Sequence, residues 1–362
     1  MIPSLHGHPE RARCSQIHMR FPRLRQTVRG LVTLALSISV VLVTTGSEAG
    51  AQSGPSVPAG FHTAVLASGL YQPTALAVGP DHRVYIAQEN GVVDVESTVG
   101  VQTIASGFGV ILGLTWHAHQ LYVSSTGEIA VLTPSRKYSQ WTTKVIVTGL
   151  PYGKHQNDGL AFRGSWMYVG IGSTCNACAE TDPRSATIMR FHTDGTHGQI
   201  YATGLRNPFG LAVRPSNGKI YATDNGRDDF GNTVPDELNL IVRHGKYGWP
   251  SCWGRHLGTN CAGTIEPVAL FEPHSSADGI VFYSGSKFGN AYNGDAFVAE
   301  WGDLVNNLGT GHIVKFVHFG SKHISVGTFA TGLVHPIAVA VSPSGSLLIA
   351  DWGTGIVWRV FR

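Results

Sequence analysis

The stretch RNPFGLAVRPSNGKIYATD, residues 206–224, decides the fold because the same phrase recurs along the chain. Each copy has a polar cluster, an apolar strand, a turn rich in Gly, Pro or Asx, and a second apolar strand. The other clear copies are YQPTALAVGPDHRVYIAQ (71–88), HQNDGLAFRGSWMYVGIG (155–172) and HPIAVAVSPSGSLLIAD (335–351), and looser copies lie at 110–125 and 277–300. Six copies of one supersecondary unit predict a radial repeat fold.

The repeats predict an all-β protein, a six-bladed β-propeller with four-stranded blades over residues 52–362. The low charged content of 14% and the 45 glycines agree with many short strands and turns. The segment Phe61–Ser68 resembles the outer strands Ile200–Thr203 and Thr328–Thr331, so we expect this N-terminal strand to complete the last blade and close the ring. Two long connections, Ser173–Ser185 and Tyr247–Pro273, are expected to mark the functional face.

The first 51 residues have the layout of a secretory signal peptide. Arg20, Arg23, Arg25 and Arg29 precede the apolar run Leu31–Val43, and Ala49-Gly50-Ala51 gives a cleavage site of small residues. The apolar run is short for a membrane span, so a retained anchor is disfavoured. We therefore expect a presequence at 1–51 and a periplasmic or secreted mature chain without a membrane span.

Charge and cysteine usage agree with export. Six of the 26 Lys and Arg residues, but only two of the 23 Asp and Glu residues, lie in the first 51 positions. The mature chain is therefore nearly neutral, which argues against nucleic acid or an anionic membrane as partner. Its four cysteines predict disulfides, and sequence proximity favours Cys175–Cys178 and Cys252–Cys261, although three pairings are open.

Propeller topology predicts where chemistry lies. The loops leading into the inner strands and the loops following the second strands open on one face, so their polar residues should meet at one mouth of the central channel. The His155-Gln156-Asn157-Asp158 cluster offers a general base, and Arg206-Asn207 offers a forked cation for carboxylates. The acidic run between Asp224 and Glu237 suits a hard cation such as calcium. Each cluster taken alone also fits an ordinary structural loop.

The run 204–250 resembles the signature of the glucose/sorbosone dehydrogenases, and KHQNDGLAF (154–162) and HSSADGIVFYSG (274–285) fit the sorbosone-dehydrogenase-like branch. The resemblance spans about residues 60–362. It implies a six-bladed propeller that uses pyrroloquinoline quinone (PQQ) with Ca²⁺ to oxidise a sugar or aldose hydroxyl by hydride transfer. It also implies His155 as the base, Arg206 and Asn207 as cofactor contacts, and Gly226, Arg227 and Asp236 at the calcium.

The chain departs from this family where positive charge is expected. Lys154 replaces an acid before the histidine, and Val334-His335-Pro336 stands where the last blade carries cofactor-clamping arginines. Because a tricarboxylate needs cationic partners when partly buried, we expect Lys154, Arg227 and His335 to supply them.

Two other functions stay open at this stage: a calcium-dependent lactonase without quinone, and a non-catalytic carbohydrate- or protein-binding propeller. For the dehydrogenase, the expected partners are a sugar substrate and an external electron acceptor. A homodimer stays open.

Overall fold

The structure, a computed structural model, describes residues 54–303, 309–321 and 323–362. The signal-peptide prediction for 1–51 lies outside the described residues. The described chain is a six-bladed β-propeller whose blades are small antiparallel sheets. No α-helix is assigned in these ranges, only a single 3₁₀ turn at Gly231–Thr233, and none of their segments is a helix long and apolar enough to cross a bilayer.

The first half of the chain forms one closing strand and three blades, each written from the inner strand outward. The strands are β1 (His62–Ala67); β2 (Pro73–Val78), β3 (Val84–Gln88), β4 (Val93–Ser97) and β5 (Gly100–Ala105) in blade one; β6 (Ile111–His117), β7 (Gln120–Ser125), β8 (Glu128–Pro134) and β9 (Trp141–Thr148) in blade two; and β10 (Asn157–Arg163), β11 (Trp166–Ile171), β12 (Thr187–His192) and β13 (Gln199–Thr203) in blade three.

The second half forms the other three blades and a small insertion. The strands are β14 (Leu211–Arg214), β15 (Lys219–Asp224), β16 (Pro235–Ile241) and β20 (Ala269–Pro273) in blade four; β18 (Cys252–Trp253) and β19 (Leu257–Gly258) in the insertion; β21 (Ala277–Phe282), β22 (Ala296–Glu300), β23 (Ile313–Phe319) and β24 (Ile324–Ala330) in blade five; and β25 (Pro336–Val341), β26 (Leu347–Asp351) and β27 (Ile356–Phe361) in blade six. The short strand β17 (Gly245–Lys246) pairs in parallel with β13 at the outer edge of blade three.

The outermost strand of blade six comes from the other end of the chain. β1 pairs antiparallel with β27, with Val65 opposite Trp358, so blade six has the order β1-β27-β26-β25. This pairing covers the outer edge of β27, which would otherwise expose unpaired backbone groups.

The insertion differs from the sequence-based expectation at one end. Tyr247–Pro273 reads as one long loop, but Ala269–Pro273 is the outer strand of blade four and pairs with β16. Ala269 and Phe271 are buried on one face of this strand, which is the alternation a half-buried strand requires. The pattern is too short to recognise in the sequence.

The repeated glycine of the phrase lies where inner strands of adjacent blades approach closely. A Cβ added to Gly210 would lie 2.3 Å from the Asp278 carbonyl oxygen, and one on Gly279 would lie 2.6 Å from that of Ile337. The equivalent positions in blades one and six carry Ala75 and Ala338. Small residues at this position let the six inner strands close around a narrow channel.

The apolar core lies between the faces of neighbouring blades. One cluster joins blades five and six through Phe297, Phe329, Leu347 and Trp358, all nearly inaccessible to solvent. Such burial stabilises the fold by roughly 25 cal/mol per Å² of apolar surface. This leaves the loops at the two ends of the channel free to vary.

Candidate active site

Loops from blades three, four and five meet around one open cavity of about 230 Å³, which we call the mouth cavity. Six of the residues singled out in the sequence line it. They are Lys154, His155, Arg206, Asn207, Gly226 and Asp236. A second cavity of about 250 Å³ shares Lys154, His155 and Asn207 with it, and the inner strands enclose a channel of about 570 Å³.

The His155 ring is held in one tautomer. Its Nδ1 lies 3.2 Å from the Ser173 carbonyl oxygen and 3.0 Å from Ser173 Oγ. The hydroxyl proton of Ser173 is donated to the Cys175 carbonyl at 2.6 Å, so both Ser173 oxygens can only accept from the ring. Nδ1 therefore carries the hydrogen, which leaves the lone pair on Nε2.

His155 is also kept neutral. Burial, followed by the nearby charges of Arg206 and Lys154, lowers the pKa of His155 to about 3. An imidazole beside two cations resists protonation because a third positive charge would be unfavourable there. The combination of a fixed tautomer and a neutral ring gives a proton acceptor that is ready across the neutral range.

Arg206 is buried and already bound by the protein. Its Nε donates to the Asn176 carbonyl at 3.1 Å and Nη1 to the Asn225 carbonyl at 3.2 Å. Nη2 donates to Asn176 Oδ1 at 2.9 Å and to Asp228 Oδ2 at 2.8 Å. Among the described residues these contacts use four of the five guanidinium N–H groups, so one N–H of Nη1 is left for a ligand.

Lys154 approaches the same carboxylate as Arg206. Its Nζ lies 3.0 Å from Asp228 Oδ2, and the lysine side chain is 43% exposed. Asp228 therefore bridges the two cations that line the mouth cavity.

Asp236 braces the turn at Gly226. Its Oδ1 accepts from the Gly226 amide at 2.7 Å, and Oδ2 accepts from Ser275 Oγ at 3.0 Å and from the Ala277 amide at 3.2 Å. Burial raises the pKa of Asp236 despite these donors. Both oxygens thus tie blade four to the loop that leads into blade five.

Two of the residues expected to supply positive charge lie away from the mouth cavity. Arg227 forms a bidentate pair with Asp229, at 2.6 and 2.5 Å, and its guanidinium carbon lies 4.7 Å from the Phe230 ring centroid. His335 stacks on Trp301 with the ring centroids 4.0 Å apart. Trp301 lines the mouth cavity, so His335 supports the wall from behind.

Several buried oxygen atoms of residues that line the two cavities have no hydrogen-bond partner among the described residues. They include Asn207 Oδ1 and Asn225 Oδ1 in blade four, and Asp158 Oδ2 in blade three. Buried polar atoms normally have partners, so orphaned amide oxygens suggest a ligand. Amide and carboxylate oxygens are the ligands that Ca²⁺ prefers, so the chemistry of this set fits a calcium ion.

Sequence reasoning assigned no individual role to two residues that shape the site, Ser173 and Asn176. Asp228 belongs to the acidic run that was expected to suit calcium, but its carboxylate pairs with Lys154 and Arg206. Asn176 lies between Cys175 and Cys178, whose sulfurs are bonded at 2.04 Å. The second disulfide, Cys252–Cys261, also forms, so both pairings favoured by proximity are confirmed. Two sequence signals pointed to the neighbourhood of Asn176: the cysteine spacing, and the long connection Ser173–Ser185 that was expected to mark the functional face.

The fold and this mouth define a class: a six-bladed propeller with an imidazole, a guanidinium and hard oxygen ligands gathered at one end of its channel. Comparison with known proteins agrees. Residues 189–304 match the family model described as Glucose / Sorbosone dehydrogenase, which confirms the resemblance found in the sequence.

Individual relatives are distant. The chain is 26% identical over 295 residues to the quinoprotein glucose dehydrogenase B of Acinetobacter calcoaceticus, an alignment that covers 62% of this chain and 60% of that protein. The holo pyranose dehydrogenase PQQ domain of Coprinopsis cinerea superposes with a TM-score of 0.74 at 15% identity, covering 86% and 98% of the two chains. The PQQ-bound aldose sugar dehydrogenase of Streptomyces coelicolor gives 0.65 at 20% identity, covering 84% and 100%. At these identities the structural matches establish the fold.

Proposed function

We propose that this protein is an exported, PQQ- and calcium-dependent dehydrogenase that oxidises a sugar or aldose hydroxyl. The observation that carries the proposal is the contact of His155 Nδ1 with both Ser173 oxygens, at the edge of the mouth cavity beside Arg206, which leaves Nε2 as the ring nitrogen able to accept a proton. The family match and the sugar-oxidising relatives support the same chemistry. His155 is the catalytic residue of the proposal.

The residues present fit the cofactor. Asn207 and Asn225 offer orphaned oxygens for Ca²⁺, and the metal residues of the proposal are Gly226 and Arg227, through their carbonyls, with Asp236 bracing the turn. Lys154 and the remaining N–H of Arg206 supply positive charge for carboxylates. When bound, PQQ supplies the acceptor for the hydride, and calcium polarises it.

The chain's own groups then have defined tasks. His155 Nε2 accepts the proton of the sugar hydroxyl, and Ser173 holds the ring so that Nε2 stays available. The buried Arg206 guanidinium stabilises negative charge that develops beside it, in a site with little water to screen it. Trp301 offers a flat apolar wall for the rings of a ligand.

The remaining parts of the proposal concern the processing, the location and the partners of the chain. Residues 1–51 would be a presequence and 52–362 the mature propeller, released to the periplasm or medium. The two disulfides support an oxidising compartment. Electrons would pass to an external acceptor, and pairing of two propellers stays open.

The test uses the mature chain with PQQ and Ca²⁺ and follows dye reduction with a panel of aldoses and hydrolysis of a lactone. We expect aldose-dependent reduction that requires both additions and is lost in His155→Ala. The matched control is His323→Ala, which changes an exposed histidine in the connection between β23 and β24 on the opposite face. The proposal would be overturned by lactone hydrolysis without PQQ, or by the absence of activity in both assays when the protein is folded.

A further inference from the structure

A four-residue disulfide ring, Cys175-Asn176-Ala177-Cys178, lies in the connection between β11 and β12. We propose that this ring is a positioning device for the mouth cavity, with Asn176 fixing Arg206 and Asp228 and with Cys175 fixing His155 through Ser173. The inference rests on the proposed function for its catalytic meaning. The positioning of Arg206, Asp228 and His155 by the ring can be tested without a cofactor, because it involves only residues of this chain.

Asn176 is the most heavily used acceptor at the site. Its carbonyl oxygen accepts from Arg206 Nε at 3.1 Å and from Trp249 Nε1 at 3.2 Å. Its side-chain Oδ1 accepts from Arg206 Nη2 at 2.9 Å and from the Asp228 amide at 2.9 Å. One residue therefore holds two nitrogens of the guanidinium and the backbone of its carboxylate partner.

The other arm of the ring reaches the imidazole. The Cys175 carbonyl oxygen accepts a hydrogen bond from Ser173 Oγ at 2.6 Å. Without that acceptor, the hydroxyl could donate to Nδ1 and favour the other tautomer, which would put the hydrogen on Nε2. The Cys175 carbonyl thus acts with the Ser173 carbonyl to keep the hydrogen on Nδ1 of His155 and to leave Nε2 as the base.

The short span of the disulfide also points to local positioning. A cross-link between residues three apart removes little freedom from the unfolded chain compared with one that closes a long loop. Its larger effect is to hold the backbone of 175–178 in one shape. In that shape the ring presents the Cys175 carbonyl to one side of the site and both Asn176 oxygens to the other.

The first measurement needs no cofactor. Arg206 is only 4% exposed, so we expect slow modification by phenylglyoxal, followed at that residue by peptide mass spectrometry. Asn176→Ala should accelerate modification of Arg206 by about tenfold, the effect of losing a hydrogen bond to a charged group. The matched control is Asn217→Ala, since Asn217 Oδ1 also accepts a backbone amide, that of Lys219 at 2.9 Å, but in a turn on the opposite face.

The second measurement is the affinity for PQQ in the presence of Ca²⁺, taken from tryptophan quenching. We expect the Kd to rise about tenfold in Asn176→Ala and to stay unchanged in Asn217→Ala. Asn176→Asp keeps the Oδ acceptor and should restore slow labelling. The double variant Cys175→Ser/Cys178→Ser should reproduce Asn176→Ala in both measurements and covers the case in which Asn176→Ala does not fold.

The outcomes separate the two proposals. If wild type binds PQQ and neither the Asn176 variant nor the double variant differs from Asn217→Ala, the positioning role is overturned. If wild type binds no PQQ but Arg206 labelling still rises in the variants, the positioning role stands and the proposed dehydrogenase function falls.

Discussion

Asp228 Oδ2 lies 3.0 Å from Lys154 Nζ, and the same oxygen accepts from Arg206. The protein therefore places its own carboxylate between the two cations of the mouth cavity. An anionic ligand must compete with this internal counter-ion or share the cations with it. We therefore expect Asp228 to weaken the affinity of the mouth cavity for carboxylates.

The first prediction follows from that competition. Asp228→Asn should lower the Kd for PQQ by about fivefold at low salt, since the partly exposed Lys154–Asp228 pair that competes with the ligand is worth up to about 1 kcal/mol. The gain should shrink as salt screens the charges. Titrations of PQQ with Ca²⁺ at two ionic strengths measure this effect.

Asp81→Asn is the matched control for Asp228→Asn. Asp81 also forms an ion pair, with Arg83 at 2.7 Å, but in the turn between β2 and β3, away from the mouth cavity, so its loss should leave the Kd unchanged. Weaker PQQ binding by Asp228→Asn would show that Asp228 holds Arg206 in place and does not compete with the ligand.

The second prediction concerns pH. Because burial, Arg206 and Lys154 lower the pKa of His155 to about 3, kcat/KM should show no acidic inflection near 6.5, the ordinary value for histidine. Lys154→Met removes one of the cations that disfavour the imidazolium, so it should raise the pKa and move the acidic limb to higher pH. Initial rates from pH 4 to 8 measure both profiles. A wild-type inflection near 6.5 that moves to higher pH in Lys154→Met would show that His155 has a near-ordinary pKa and would contradict this account.

The sequence predicted the inner strands well because their signal is repeated and local. The apolar run Leu211–Arg214 and its glycine recur in other blades, and topology alone brought His155 and Arg206 to one mouth. The direction in which a side chain points from a loop after a strand is not indicated by any repeated pattern in the sequence. Arg227 and Asp228 are neighbours in the chain, yet only Asp228 lines the mouth cavity.

The roles of individual residues in the long connections could not be predicted for a related reason. Asn176 lies in a connection that no other blade repeats, so no equivalent position indicates its role. Its function appears only in three dimensions, where its two oxygens meet Arg206 and Asp228. The strand Ala269–Pro273 was hidden because a single buried alternation of two residues is common in loops.

The third prediction tests the Gly226 turn. A Cβ at position 226 would lie 2.7 Å from the Pro235 carbonyl oxygen and 2.7 Å from Val234 Cγ1, so Gly226→Ala must displace the turn. We expect a loss of about 1–3 kcal/mol of stability and a smaller increase in Tm on adding Ca²⁺. Thermal unfolding with and without Ca²⁺ measures both. A full calcium-induced increase in Tm in the variant would remove Gly226 from the proposed metal site.

The fourth prediction concerns a buried acid beside the site. Glu237 accepts from the Gly254 amide at 2.5 Å and from Asn239 Nδ2 at 2.9 Å, yet burial raises its pKa to about 7. The folded state therefore binds a proton that the unfolded chain releases above its lower pKa. Stability from this group is present at low pH and is lost as the pH rises from about 4.5 to 7, by up to about 3 kcal/mol.

Glu237→Gln removes this ionisation and keeps an acceptor for the Gly254 amide. Its new amide can donate to Asn239 Oδ1, which has no partner among the described residues, after the Asn239 amide turns over. The difference in unfolding free energy between pH 5 and pH 8, from urea denaturation, should therefore be smaller than in wild type. The control Glu96→Gln, at a partly exposed carboxylate near the end of β4, should leave the difference unchanged. An unaltered difference in Glu237→Gln would mean that Glu237 is ionised in the folded protein at neutral pH, with a cation close enough to compensate for its burial.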